Sequence, residues 1–397
     1  MPTSSAPLAD LVVRLADQHD AMLAVLEVLV ASESPSDDPA RLAATTDLVA
    51  ARGEQLLGAA PERPACTGAP ALRWTLPAVG SAVAPVVLLA HLDTVWPAGT
   101  TDRWPFSVTD GRASGPGAFD MKAGLVQALF ALAELTRSGL PHPPVILLVT
   151  ADEEIGSPAG RALVEAAADG AAAVLVLEPS APGGALKVAR KGVGNYWLHL
   201  TGRAAHAGLE PEKGVNALVA AATLVLALDE LADPASGTTV TPTLARAGSA
   251  QNTVPASAAV AVDVRAASVA EQTRVDDALR SLTVDGGATV RVEGGINRPP
   301  LEEALATGLL AAARRAAERC GFPRPDAARV GGGSDGNFTA ALGVPTLDGL
   351  GAVGDGAHAE GEHVLVATLP ERAALLAALI IEIAASGSEG AGPASDG

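Results

Sequence analysis

The sequence is poor in cysteine and lacks the apolar segments that direct a chain to a membrane. Its two cysteines, Cys66 and Cys320, are far apart and show no CxxC spacing. This argues against a disulfide framework and a thiolate zinc site, and it fits a reducing cytoplasm. The N-terminus lacks a basic region followed by an apolar run, so we expect no signal peptide. An uninterrupted apolar stretch of about 18 residues, which would suggest a membrane span, is also absent.

Basic residues are scarce as well. The chain has 27 Lys and Arg against 45 Asp and Glu, which gives a formal net charge of -18. Such an acidic chain is not expected to bind nucleic acid or an anionic membrane. With 397 residues, of which 48% are hydrophobic, we expect a globular protein of two or three domains with a large core.

Strand-like and helical segments alternate toward both ends of the sequence. Helices are predicted at 7–31, 38–59, 121–138 and 158–168, and strands at 86–90, 145–150 and 174–177. This alternation favours a parallel, doubly wound α/β sheet. A Gly-rich loop (331–335) and a final helix (370–384) are predicted to return to that sheet.

The middle of the chain follows a different pattern. Predicted strands lie at 196–201, 258–264 and 288–293, and predicted helices at 216–232 and 269–282. We infer a β-α-β-β-α-β order, which suggests a ferredoxin-like α+β module inserted in the first domain. The predicted segments are therefore the α/β domain in two parts (1–188 and 299–385), the insertion (189–298) and a disordered Gly/Ser-rich tail (386–397).

Residues that bind hard divalent metals directly follow three of the predicted strands. His91 and Asp93 come after VVLLA, the acidic run 152–154 comes after VILLVT, and Glu178 comes after VLVL. Ligands of open parallel sheets bind beyond the carboxyl ends of the strands, so we expect these side chains at one edge. Histidine and carboxylate ligands of this kind indicate a site for a pair of zinc ions.

Two further candidate ligands lie in Gly-rich loops, and both have simpler interpretations. Asp120, in SGPGAFDMKAG, could be the N-cap of the helix that follows. His358, in GDGAHAEGEH, could be an exposed loop residue. Glu178 precedes a proline, and a Glu-Pro pair at the end of a strand is common in surface turns. Lys122 is expected to be a solvated residue in the first turn of its helix.

Glu153 and Glu154 form the most informative pair. Adjacent acids after a buried strand repel each other unless a positive group compensates them. One carboxylate can bind a metal ion while its neighbour takes a proton from an activated water. A solvated acidic loop is the alternative. Asp93 lies on the same face of its segment as His91 and is placed to accept the other ring N–H of that histidine.

Taken in order, the motifs resemble one family closely. They are HLDTV (91–95), SGPGAFDMKAG (114–124), TADEEIGS (150–157), LEPS (177–180), GRAAHAG (202–208) and GGGSD (331–335), followed by a loop histidine. The family is that of the co-catalytic di-zinc hydrolases, among them bacterial glutamate carboxypeptidase, acetylornithine deacetylase, succinyl-diaminopimelate desuccinylase and aminoacylase. The ARKGVGNYWLHLTGRAAHAG and HLDTVWP stretches are most similar to the glutamate carboxypeptidase branch.

This resemblance implies a fold and a ligand set. The fold is a phosphorylase/hydrolase-like catalytic domain whose inserted module serves as a dimerisation domain, hence a homodimer. Two Zn²⁺ per chain are implied, with Co²⁺ or Mn²⁺ as alternatives. Asp120 would bridge both ions, His91 and Glu178 would complete one site, and Glu154 and His358 the other. The peptide bond that follows Asp120 is implied to be cis.

The resemblance also implies which residues perform the reaction. Glu153 would be the general base, and Asp93 would orient His91. His206 would reach the substrate or its tetrahedral intermediate, often across the dimer.

Further residues are implied to bind the substrate. Asn252 and Arg265 match positions that hold the substrate's carboxylate, which a guanidinium can bind with two parallel hydrogen bonds. From the residues alone, an ion pair on the strand surface is the alternative for Arg265. Gly332, Gly333 and Ser334 resemble a substrate-binding loop.

The expected function is metal-assisted hydrolysis of an amide, with release of a C-terminal amino acid such as glutamate from peptides or N-acyl conjugates. The alternative is an N-acyl amino acid deacylase of the acetylornithine or succinyl-diaminopimelate type, because the same metal site serves both. A non-catalytic metal-binding protein is a more remote alternative, since every expected position is filled. A manganese amidohydrolase with a cysteine ligand is disfavoured, because neither cysteine lies in a ligand motif.

Overall fold

The computed structural model describes residues 6–389 of the chain. Within that range the helices are α1 (Ala6–Ala16), α2 (His19–Ala31), α3 (Pro39–Leu57), α4 (Thr100–Arg103), α5 (Ala123–Ser138), α6 (Arg161–Ala168), α7 (Ala217–Asp229), α8 (Val269–Arg280), α9 (Thr307–Cys320), α10 (Gly336–Ala341) and α11 (Leu369–Glu389). The strands are β1 (Leu72–Leu76), β2 (Val86–His91), β3 (Ser107–Thr109), β4 (Arg112–Ser114), β5 (Val145–Thr150), β6 (Ala173–Val176), β7 (Leu186–Arg190), β8 (Gly192–Thr201), β9 (Thr239–Ala247), β10 (Ser257–Ala266), β11 (Thr289–Arg298), β12 (Ala327–Val330), β13 (Thr346–Leu347), β14 (Gly354–Asp355) and β15 (His363–Leu365).

The chain divides into two compact units. Unit 1 comprises the residues up to 189, residues 303–329 and those from 334 onward. Unit 2 comprises residues 190–302 together with the short segment 330–333. Among the described residues, no helix has both the length and the apolar composition needed to cross a bilayer.

Unit 1 is built on a five-stranded sheet with the order β1-β5-β2-β6-β13. Strands β5, β2, β6 and β13 are parallel, and β1 is an antiparallel edge strand. Every residue of β2, β5 and β6 is buried, as expected for parallel strands covered on both faces. Alternate residues of β2 belong to different cores: Leu88 packs with residues of α1, α5 and α11, whereas Val87 packs with residues of α6 and α10. The predicted doubly wound α/β fold is therefore confirmed.

The sheet brings three candidate ligand segments to one edge. His91 is the last residue of β2, the acidic run 152–154 follows the end of β5 at Thr150, and Glu178 lies two residues beyond β6. Since the three strands are parallel and adjacent, their carboxyl ends lie side by side.

Unit 2 is a four-stranded antiparallel sheet with the order β11-β8-β10-β9. Helices α7 and α8 pack on this sheet and share its core: Leu224 and Val275, for example, cluster with Leu198 and Val260. The element order β8-α7-β9-β10-α8-β11 is the predicted β-α-β-β-α-β order of a ferredoxin-like module. Its role as a dimerisation domain stays a prediction.

Several elements differ from the sequence prediction. The helix predicted at 7–31 is two helices, α1 and α2, and strand β1 was not predicted. Strand β9 was not located either, because it is a largely exposed edge strand with a proline at position 242 and so lacks a clear apolar alternation. Helix α11 runs to Glu389, and the remainder of the predicted tail lies outside the described residues.

Gly124 in α5 lets the helix that follows Asp120 approach the end of β6. A Cβ atom at Gly124 would lie 2.1 Å from the main-chain oxygen of Leu177 and 3.4 Å from Cα of Gly351. The obstructing atoms belong to the backbone, so no side chain can move aside. The residue after Leu177 is Glu178. The close contact at Gly124 therefore helps to set the distance between Asp120 and Glu178.

We expect Gly124→Ala to destabilise the protein by about 3 kcal/mol, the upper part of the range typical of overpacked cores. Gly308→Ala is the matched control, because Gly308 is also helical and its added Cβ would meet nothing within 4 Å. That control should be neutral or more stable by about 0.5–1 kcal/mol. Urea unfolding of both variants measures the difference, and equal stabilities would contradict the close contact at Gly124.

Candidate metal centre

Unit 1 brings together the five predicted ligands, with the other four arranged around the carboxylate of Asp120. Asp120 Oδ1 lies 3.4 Å from Nε2 of His91, and Asp120 Oδ2 lies 3.4 Å from Nε2 of His358. His91 Nε2 is also 3.5 Å from Glu178 Oε1, and His358 Nε2 is 3.1 Å from Glu154 Oε2. Two groups of ligand atoms therefore share Asp120, one oxygen on each side.

These separations fit metal ions. Two nitrogen or oxygen ligands held about 2.0–2.1 Å from one zinc ion at a tetrahedral angle lie about 3.4 Å apart. Three atoms at the centre, His91 Nε2, Asp120 Oδ1 and Glu154 Oε1, are buried and have no hydrogen-bond partner among the described residues. A buried polar atom without a partner costs free energy unless something outside the chain satisfies it. The donor set therefore fits a pair of divalent cations.

The charges of the centre lead to the same conclusion. Burial alone would lower the pKa of His91, but Asp120, Asp93 and Glu178 hold that pKa well above its ordinary value. Asp120 and Glu154 raise the pKa of His358 to about 11. Burial would raise the pKa of Asp120, yet the two histidines keep it well below its ordinary range. The carboxylates thus favour positive charge at this point, and metal ions would supply it.

Asp93 connects His91 to the acidic turn. Its carboxylate is fully buried and accepts hydrogen bonds from the main-chain N–H groups of Glu153, at 3.2 Å, and Glu154, at 3.1 Å. The nearest acceptor for Nδ1 of His91 is the main-chain oxygen of Asp93, at 3.0 Å, while the carboxylate lies 3.4 Å away. Asp93 therefore orients the turn directly, and it contacts His91 through both its main chain and its side chain.

Glu153 faces the centre as well. A carboxylate oxygen of Glu153 lies within 4.8 Å of both a ring nitrogen of His91 and a carboxylate oxygen of Glu178. The residue is 9% exposed, so it retains a small opening to solvent. This position is compatible with a general base and equally with a metal ligand.

The loop that carries Asp120 has an irregular backbone. The Asp120–Met121 peptide bond is cis, as the resemblance implies. Gly117 adopts a left-handed φ of 72°, and a Cβ atom there would lie 2.5 Å from Cγ2 of Thr94. Glycine at 117 therefore allows the Asp120 loop to lie directly against the segment after His91.

His358 is the most exposed of the candidate ligands, with 52% of its side chain accessible. It has a φ of 62°, which is uncommon for a residue other than glycine. Such conformations persist where the surroundings enforce them, often at functional sites.

The remaining predicted site residues lie mainly in unit 2. His206 and Asn252 are exposed and occupy neighbouring turns, where the main-chain N–H of Ala207 donates to the Asn252 carbonyl at 2.9 Å. His206 Nδ1 accepts the main-chain N–H groups of Gly208 and Leu209, both at 3.1 Å. Its Nε2 is thereby directed away from this turn.

Arg265 lies elsewhere in unit 2. His206 and Asn252 are near the start of β10, whereas Arg265 is near its end, about 26 Å away at 3.3 Å per residue. Its guanidinium binds the Asp263 carboxylate through two bonds of 2.9 Å, which is the surface ion pair of the alternative interpretation. Asn252 and Arg265 of one chain are therefore not brought together.

The Gly-rich loop is held by hydrogen bonds from an arginine side chain of unit 2. Arg190, which is buried, donates from Nη1 to the carbonyls of Gly332 at 3.1 Å and Gly333 at 3.2 Å. Ser334 belongs to unit 1, where its hydroxyl donates to Asp348 at 2.6 Å. Ser334 is fully buried, so its side chain faces the protein interior.

Two residues near the centre were not identified from the sequence. Lys122, expected to be solvated, is buried, and its Nζ donates to the main-chain oxygen of Ser32 at 2.9 Å. Burial lowers the pKa of Lys122 to about 8. Glu362 is fully buried beside the Asp120 loop. The only available hint was its position four residues after His358.

Comparison with known proteins identifies relatives of the chain. Residues 87–382 match the family described as peptidase family M20/M25/M40. Carboxypeptidase G2 of Pseudomonas sp. (strain RS-16) is 32% identical over 316 residues, which is 76% of this chain and 74% of that protein. Succinyl-diaminopimelate desuccinylase 2 of Shewanella loihica is 31% identical over 310 residues, covering 72% of this chain and 81% of that protein.

A solved structure shows the same fold. The aminopeptidase PepT of Bacillus cereus superposes with a TM-score of 0.75 at 26% identity, covering 92% of this chain and 99% of that one. Both relatives match over more than two thirds of their length, and the family match spans the segments that carry all five candidate ligands. The chain therefore belongs to peptidase family M20/M25/M40 and is a peptidase or amidohydrolase.

Proposed function

We propose that the protein is a zinc-dependent hydrolase that cleaves an amide bond and releases a C-terminal amino acid, as a glutamate carboxypeptidase does. The observation that carries this proposal is the position of Asp120 between two histidine–carboxylate groups. The similarity to carboxypeptidase G2, which covers 76% of the chain, favours this branch. Peptides or N-acyl amino acids are the expected substrates.

Two Zn²⁺ ions are proposed as the cofactors, with Co²⁺ or Mn²⁺ as possible replacements. Asp120, His91 and Glu178 would hold one ion, and Asp120, Glu154 and His358 the other. When bound, such ions polarise a carbonyl group and lower the pKa of a water from 15.7 to about 7.

Glu153 is proposed as the general base. Its main-chain N–H is fixed by Asp93, and its carboxylate lies beside His91 and Glu178 at a slightly open position. Glu153 would take a proton from the attacking water and later deliver it to the leaving amine. Base catalysis of this kind contributes about 100- to 10,000-fold in rate.

His206 is proposed to donate a hydrogen bond to the oxyanion that forms from the substrate carbonyl. Both main-chain hydrogen bonds in its turn go to Nδ1, so Nε2 carries the proton available for donation. Arg265, Asn252 and the segment 332–334 are proposed to bind the substrate, with Arg265 exchanging Asp263 for a substrate carboxylate.

We further propose a homodimer formed through unit 2. Helix α7 exposes Leu218, Val219 and Leu226, with 49%, 60% and 76% of each residue accessible, and β9 adds Leu244 with 55%. Exposed apolar side chains grouped on one helix and the adjacent edge strand favour association with a partner.

A deacylase that releases acetate or succinate is the second candidate function, favoured by the similarity to succinyl-diaminopimelate desuccinylase 2. A panel of N-acyl and peptidyl amino acids, incubated with zinc-loaded protein of measured metal content, separates the candidates. We expect two zinc ions per chain and free C-terminal glutamate. Release of acetate or succinate alone would support the deacylase, and two ions without turnover would mean that the substrate lies outside the panel.

Glu153→Gln should retain both metal ions and lose turnover by about 100- to 10,000-fold, because only the base is removed. Glu154→Gln is the matched control, an identical change in the adjacent residue, and it should lower the metal content. Metal analysis and kcat of both variants test the assignment. Loss of metal in the Glu153 variant, with retention in the Glu154 variant, would exchange the two roles.

Leu226→Asp should convert the dimer to a monomer, since it places a charge in the apolar patch of α7. Leu342→Asp is the control, because Leu342 is also exposed (51%) but belongs to unit 1. Sedimentation velocity distinguishes the two states. A monomeric wild-type protein, or an unchanged dimer in the Leu226 variant, would contradict the proposed interface.

A further inference from the structure

Glu362 is a fully buried carboxylate whose oxygens are used entirely by N–H donors. Oε2 accepts hydrogen bonds from the indole N–H of Trp96 at 2.8 Å and from the main-chain N–H of Gly117 at 3.1 Å. Oε1 accepts the main-chain N–H groups of Phe119 at 2.7 Å and Asp120 at 2.9 Å. Each oxygen thus accepts two N–H groups.

The three main-chain donors all belong to the loop that carries Asp120. This loop is not a regular helix, because Asp120 has φ and ψ of -112° and 95°. Buried N–H groups outside helices and sheets need an acceptor elsewhere, and here Glu362 provides it. Hydrogen bonds to a charged acceptor are about twice as strong as neutral ones. One of these hydrogen bonds is donated by the main-chain N–H of Asp120 itself. Glu362 therefore fixes the backbone that carries the Asp120 carboxylate.

Glu362 also belongs to the loop that carries His358. Its main-chain N–H donates to the carbonyl of Ala359 at 3.0 Å, and its own carbonyl accepts the Ser114 hydroxyl at 2.8 Å. The side chain of Glu362 therefore holds one ligand loop while its main chain holds the other. Glu362 thus connects the two loops whose ligand atoms, His358 Nε2 and Asp120 Oδ2, lie 3.4 Å apart.

We propose that Glu362 is a positioning residue that holds Asp120 and His358 at a metal-binding separation and so sets the affinity for the ion bound by Asp120, Glu154 and His358. This inference rests on the proposed function, because it presumes that these three residues form a metal site. Loss of residues that orient metal ligands typically lowers metal affinity about 10- to 100-fold.

Glu33 provides a matched control with the same kind of structural role. Its side chain is 8% exposed and accepts the main-chain N–H groups of Gly99 and Thr101, both at 2.9 Å, and the Thr101 hydroxyl at 3.0 Å. Gly99 and Thr101 are not candidate ligands, and Glu33 also forms an ion pair with Arg41 at 3.1 Å. If Glu362 only stabilised the fold, substitutions at the two positions would have the same consequences.

The test compares Glu362→Ala and Glu362→Gln with Glu33→Ala and Glu33→Gln. Metal-free protein is titrated with Co²⁺, followed by its absorption spectrum, and with Zn²⁺ in competition with a chelator, while thermal unfolding without metal reports stability. The wild type should bind two ions. Glu362→Ala should bind the ion at Asp120, Glu154 and His358 about 10- to 100-fold more weakly. The affinity for the ion at Asp120, His91 and Glu178 should fall less. Glu362→Gln should fall between, since its single carbonyl can satisfy one pair of donors.

The Glu33 variants should lose stability and keep wild-type affinity for both ions. Equal losses of metal affinity in the Glu33 and Glu362 variants would overturn the proposal, and so would wild-type affinity for both ions in Glu362→Ala. If the alanine variants do not fold, the same criteria apply to the glutamine pair. A wild-type protein that binds fewer than two ions would refute the proposed metal centre, and this inference with it, before any variant is compared.

Discussion

The candidate centre depends on the carboxylate of Asp120 lying between two imidazoles. His91 comes from the second strand of the chain and His358 from a loop near its end, yet each lies 3.4 Å from a different oxygen of Asp120. Burying the charges of His91 and Asp120 is costly unless they are compensated. His91, Asp120 and Glu154 each have a buried ring nitrogen or carboxylate oxygen without a hydrogen-bond partner among the described residues. These atoms therefore mark where a compensating group is needed.

Much of unit 1 serves to hold these groups in place. The parallel sheet fixes His91, the acidic turn and Glu178 at adjacent strand ends, and Asp93 links the first two of these segments. The Asp120 loop approaches from outside the sheet, which requires glycine at 117 and 124, because a Cβ atom at either position would overlap a neighbouring atom. Regular structure thus supplies one half of the centre, and irregular loops held by specific contacts supply the other.

The strand-end half of the centre was easier to predict from the sequence than the half formed by loops. Buried parallel strands have short apolar runs, and polar residues directly after them must lie at the carboxyl edge, so His91, Glu154 and Glu178 could be placed by local pattern. Glu362 could not, because it contacts Asp120 across 242 positions and no local pattern encodes such a contact. Lys122 was expected in solvent for the same reason: its burial depends on Ser32, which lies 90 residues away. Strand β9 escaped prediction because an exposed edge strand has little apolar alternation.

The geometry of unit 2 links two of the proposed roles. His206 and Asn252 lie near one end of β10 and Arg265 near the other, about 26 Å apart. An extended dipeptide spans only about 7 Å, so it cannot contact both ends of one copy of unit 2 at once. If Arg265 and His206 both act on one small substrate, they must therefore come from two different chains. A dimer formed through unit 2 and the joint action of His206 and Arg265 on one small substrate are thus a single hypothesis, because the two residues of one chain are too far apart to contact that substrate together.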